Sequence, residues 1–150
     1  MSCGTDADGI SSTAYNGVLV GSSPTRLIRR SIMALRIYIA GPMSGRPNLN
    51  WDAFDRKEEE LKHAGWDVVN PAAMDRETGL DPEGMGEYDY EDAARRDIEA
   101  LGECDAIYMM AGFQFSKGAC WERALAKHWG LKRYYEIPRE DHESEHIRTR

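Results

Sequence analysis

From Leu35 onward, short apolar runs alternate with segments of helical periodicity, and few architectures accommodate that pattern. The runs are LRIYIA (35–40), WDVVN (66–70), DAIYMM (105–110) and RYYEI (133–137). After the first, Trp51, Phe54, Leu61 and Ala64 recur on one helix face, with Asp52, Arg56, Lys57, Glu59 and Glu60 off it. Asn50 is a suitable N-cap for that helix and Gly65 a suitable stop. A second helix is expected from about Tyr90 to Leu101, with Ala94, Ile98 and Leu101 on its inner face. A third is expected from about Ala119 to Trp129, burying Trp121, Leu125 and Trp129. Strands alternating with helices of this length predict a small parallel sheet covered on both faces, an α/β sandwich.

Pro71 is read as the stop of the second strand. The glycine- and proline-rich stretch 71–88 is expected to be a long loop, of the kind that forms lids or binding segments. Residues 1–34, rich in Gly, Ser and Thr, carry no sustained periodicity and read as a disordered tail. The folded domain is then expected over 35–138, with a polar C-terminal tail over 139–150.

In parallel α/β sheets, ligands bind beyond the carboxyl ends of the strands. That rule gathers 41–46, 70–74 and 111–118 on one rim. It makes Gly41, Pro42, Ser44, Gly45, Arg46, Asn70, Ser116 and Gly118 candidate substrate contacts. The first of these loops, GPMSGR, offers backbone N–H groups, the Ser44 hydroxyl and the Arg46 guanidinium, which suit a phosphate or a sugar hydroxyl. A plain tight turn is the competing reading. The loop matches neither a Walker A motif nor GxGxxG, so ATP and dinucleotides lose their usual support.

Composition removes other classes. A formal charge of -7 argues against binding a nucleic-acid polymer, whose partners carry a basic footprint. No apolar run reaches the ~18 residues of a membrane span. Cys3, Cys104 and Cys120 form no CxxC pair, and Cys104 and Cys120 read as reduced, buried thiols of a cytoplasmic protein. His63, His128, His142 and His146 form no HxxxH or HExxH set, so no metal is expected. His63 and His128 read as helix-end residues. There is no GxSxG elbow.

Two carboxylates remain as candidates for chemistry. Glu122, in FSKGACWERALA, lies about one turn into the third helix with small and apolar neighbours. A carboxylate there either complements the helix dipole, with Ser116 or Lys117 starting the cap, or points at a ligand on the rim. Asp97, in RRDIEAL, is next to the apolar Ile98, with Asp92 and Glu99 as rivals and a plain charged helix face as the alternative. Asp105 reads as a turn-fixing residue.

Taken in order, IYIAGPMSG, VVNPA, RRDIEALGECDAIYMM and FSKGACWERALA resemble the nucleoside 2-deoxyribosyltransferase-like superfamily. The likeness is to a small branch common in bacteriophage genomes and to the deoxynucleoside 5'-monophosphate N-glycosidases. It covers about residues 35–135. The resemblance implies a flavodoxin-like fold and cleavage of the bond between a base and deoxyribose. It implies Glu122 as nucleophile, Asp97 as the aspartate contacting base and sugar, and Tyr38 as the tyrosine of the first strand. It assigns Gly41, Ser44 and Arg46 to a 5'-phosphate and Ser116 to a neighbouring subunit's site. Pro42 stands where those hydrolases carry a phosphate-binding serine. A homodimer or larger homo-oligomer, a cytoplasmic setting and no metal or organic cofactor complete the expectation. A nucleotide-binding or sequestering module without turnover is the alternative.

Overall fold

The computed structural model describes residues 34–82 and 90–137. The expected tails, apart from Ala34, lie outside them. Four strands form one sheet: β1 (Arg36–Ala40), β2 (Asp67–Val69), β3 (Ala106–Met109) and β4 (Lys132–Tyr135). Their order is β2-β1-β3-β4 and every pairing is parallel. Tyr38 stands opposite Val69 on one side and Ile107 on the other. Four helices cover the sheet: α1 (Trp51–His63), α2 (Pro71–Glu77), α3 (Tyr90–Gly102) and α4 (Lys117–His128). This is the expected α/β, flavodoxin-like sandwich.

The alternation of side chains along β1 explains its two covered faces. Ile37 and Ile39 enter a core with Trp51, Phe54 and Leu61 of α1 and Ala72 of α2. Tyr38 and Ala40 enter the opposite core, with Leu101 of α3 and Ala119 and Ala126 of α4. At the amino end of the sheet, Asp105 fixes the entry to the strands by accepting from the Arg36 backbone N–H at 2.9 Å.

Three local expectations are corrected. Asn50 precedes α1, but its backbone is left-handed (φ 60°) and its side chain does not cap the helix. Its amide donates instead to the Pro42 carbonyl at 2.8 Å, tying the first loop to α1. The first part of the expected 71–88 loop is helical, because Asn70 and Pro71 make a helix start: the Asn70 side chain accepts from the Ala72 N–H at 2.9 Å, and proline suits the first helical position. Residues 83–89 of that loop lie outside the described residues. Cys104 is a buried free thiol, whereas Cys120 is only half-buried rather than buried.

Candidate active site

The strand order reverses direction between β1 and β3, which opens a crevice at their carboxyl ends. Beyond it lies a cavity of about 560 Å³, of a size suited to a nucleoside or nucleotide. Gly41, Pro42, Met43 and Ser44 of the first loop form one wall. Asp97 and Ile98 of α3 form a second, and Ser116 to Ala119 with Trp121 and Glu122 form a third. Ile39, Phe54 and Pro71 supply apolar lining.

Helix α4 carries its carboxylate to this point. Ser116 caps the helix, its Oγ accepting from the Ala119 N–H at 3.3 Å. Ala119 and Ala126 anchor the buried face against the sheet. Glu122, six residues past the cap, then faces the cavity, and the fully buried Tyr38 of β1 donates its hydroxyl to Glu122 Oε1 at 2.7 Å. Asp97 approaches from α3, with Oδ1 buried and unpartnered by any protein group. Trp121, expected in the core, is instead 60% exposed at the cavity.

The electrostatics follow from burial. Burial raises the Glu122 carboxyl to about 8; the Tyr38 hydroxyl pulls it down and the Asp97 charge pushes it up further. Burial likewise raises Asp97 to about 7, aided by Asp75 and opposed by Arg96. Tyr38 is held well above its ordinary value by burial and by both carboxylates, so it remains a hydrogen-bond donor throughout the working range. The Asp97 charge thus disfavours ionisation of Glu122, and burial raises both carboxyls toward neutral pH.

The residues expected to bind substrate divide into two groups. Gly41, Pro42, Ser44, Ser116 and Gly118 line the cavity together with Asp97 and Glu122, while Tyr38 stands behind Glu122. Gly45, Arg46 and Asn70 do not line it. Gly45 (φ +76°) forms a tight turn closed by the Arg46 N–H donating to the Met43 carbonyl at 3.2 Å. The exposed Arg46 guanidinium extends away toward Gly112, with Nη2 3.3 Å from where a Cβ on that glycine would stand. Asn70 is buried and committed to structure: besides capping α2 it donates to Asp55 at 3.1 Å and Glu58 at 2.7 Å.

Glycine is required at 41 by packing, since a Cβ there would stand 2.9 Å from Met110 Cβ. At 118 a Cβ would meet no protein atom within 4 Å, so that position adds open room to the cavity beside the α4 amides. Lys117, read from sequence only as a possible cap, is the one cationic side chain among the described cavity-lining residues, with Nζ 5.4 Å from the Trp121 ring centre. Its place directly after the cap Ser116 was the signal available for it. Among the described residues no group of three or more His, Cys, Asp or Glu is placed to hold a metal ion, and no helix is long and apolar enough to cross a membrane.

Residues 35–135 match the model of a family described as a domain of unknown function (DUF4406). No curated protein matches the chain.

Proposed function

The chain belongs to the DUF4406 family, and we propose that it cleaves the N-glycosidic bond of a 2'-deoxynucleoside or its 5'-monophosphate, by hydrolysis or by base transfer. The observation that carries this reading is the meeting of Glu122, hydrogen-bonded by Tyr38, with Asp97 in one cavity beside the first loop. It accords with the resemblance to the nucleoside 2-deoxyribosyltransferase-like superfamily.

In the proposed reaction ionised Glu122 attacks C1' as the base departs, forming a glycosyl ester through an oxocarbenium-like transition state. Tyr38 orients the attacking carboxylate and disperses its charge. Protonated Asp97 gives its proton to the leaving base, a role suited to a carboxyl raised to about 7. Water or a second base then attacks C1' and releases Glu122, giving the free sugar or a new nucleoside. The productive state has Glu122 ionised and Asp97 protonated, and both carboxyls are raised by burial toward neutral pH. Activity should therefore be bell-shaped in pH with its maximum between about 7 and 8.

Lys117, with Ser44 and Ser116, is proposed to receive the 5'-phosphate, which tilts the reading toward monophosphates. The proposal includes a cytoplasmic location and a homodimer; light scattering on the purified chain tests the latter. The decisive experiment is incubation with a panel of 2'-deoxynucleosides and their monophosphates, with and without free base, followed by chromatography. Released base that disappears in Glu122→Gln supports the enzyme. Ligand binding without base release from any substrate would favour the non-catalytic module.

A further inference from the structure

Helix α2, unexpected from the sequence, brings an acidic side chain up to α3 one residue from the proposed acid. Asp75 is 2% exposed and its Oδ1 lies 2.5 Å from Arg96 Nη2. Arg96 immediately precedes Asp97 on α3, and its positive charge acts on that carboxyl. Yet Asp97 Oδ1 has no protein partner. Its neighbours from the surrounding elements are Tyr38 of β1, Asp75 of α2, Arg96 of α3 and Glu122 of α4, with Lys117 on the same cavity wall.

We propose that Asp75 is a positioning residue for Asp97: by holding the Arg96 guanidinium in a buried ion pair, it leaves the Asp97 carboxyl unpaired and able to carry a proton into the cavity. The inference rests on the reading of Asp97 as the proton donor for its catalytic meaning, but the ion-pair geometry stands without it. Two influences act in the same direction. The Asp75 charge disfavours a second negative charge nearby, and the captured guanidinium is less able to stabilise one. The ion pair with Arg96 offsets part of the cost of burying Asp75.

The test titrates the Asp97 side chain by carboxyl NMR in the whole chain, as wild type, D75N and the double variant D75N/R96Q, alongside pH profiles of base release. In D75N the freed guanidinium should pair with Asp97 and lower its midpoint by about one pH unit or more. Base release at neutral pH should fall with it, since less Asp97 carries the proton, and should return in the double variant. In the double variant no guanidinium remains to depress Asp97, and its midpoint should return to within about half a unit of wild type. If D75N does not fold, D75S takes its place: a midpoint about one unit below that of D75S/R96Q supports the inference, and identical midpoints overturn it. Identical midpoints in D75N and the double variant would also overturn it, since the pair would then only clamp α2 to α3. Wild-type protein that releases no base from any substrate would refute the glycosidic reading while leaving the NMR comparison able to decide this one.

Discussion

The Tyr38 hydroxyl donates to Glu122 Oε1 at 2.7 Å, joining the central strand to α4 across 84 positions of sequence. Tyr38 is fully buried, so the bond is made at a fixed place and holds one carboxylate oxygen still. Tyr38→Phe keeps the ring and deletes the donor. Because that bond lowers the affinity of Glu122 for its proton, its loss raises it, and less nucleophile is ionised at neutral pH. Base release at neutral pH should fall, with a loss in kcat larger than any change in KM. The unsatisfied acceptor should cost about 1–3 kcal/mol of stability, read from denaturant titration.

Both acids make stability depend on pH. Glu122 rises from its ordinary 4.5 to about 8 on folding and Asp97 from 3.8 to about 7. In each window the folded chain binds the proton that the unfolded chain has released, so stability falls as pH rises. The contribution is whole below the ordinary values and gone above the raised ones. The melting temperature should therefore decline from about pH 5 to about pH 8. Glu122→Gln and Asp97→Asn should each flatten the decline, and Glu122→Gln should also abolish base release while leaving ligand binding largely intact. A slope unchanged in both variants would contradict the burial of these carboxyls.

The architecture was readable because β1 and β3 are buried on both faces and so appear as near-continuous apolar runs, while α1 carries its inner face at helical spacing. Glu122 could be picked out because its place early in α4 aims it at the strand ends, whereas Asp97, midway along α3, was set apart from Asp92 and Glu99 only by the family resemblance. Side-chain direction within a loop has no comparable signature. Arg46 and Asn70 sit at rim positions, yet one extends to Gly112 and the other serves the α2 cap. Helix α2 was missed because Asn70-Pro71 reads equally as the end of a strand and the start of a helix. With α2 unforeseen, the pairing of Asp75 with Arg96, which depends on how α2 packs, was illegible as well.

Exchange of Arg46 for Lys117 as the phosphate contact gives a clean contrast. Lys117→Ala removes the one cation among the described residues of the cavity lining and should raise KM for a deoxynucleoside 5'-monophosphate about tenfold, the loss expected for a charge-assisted hydrogen bond, while leaving the nucleoside nearly unaffected. Arg46→Ala should leave both substrates nearly unchanged, because its guanidinium lies outside the cavity. Steady-state kinetics on the paired substrates checks this; equal losses for nucleoside and monophosphate in Lys117→Ala would remove the phosphate role.

Asn70 offers a test of structure rather than chemistry. Its side chain accepts from the Ala72 N–H at 2.9 Å and donates to Asp55 and Glu58, so it holds the start of α2 against α1. Asn70→Ala deletes the cap and leaves the Ala72 N–H buried without that partner, at a cost of about 1–3 kcal/mol. Asn70→Asp keeps the cap acceptor but sets a third carboxylate against Asp55 and Glu58, where the amide had donated to both. It should therefore be destabilising too, and more so as pH rises through the carboxylate range, whereas the loss in Asn70→Ala should carry no such added pH dependence. Denaturant titrations of the two variants at about pH 4 and about pH 8 separate the outcomes. If Asn70→Asp matched wild type at both, the amide donations would contribute nothing, and Asn70 would act through its oxygen alone.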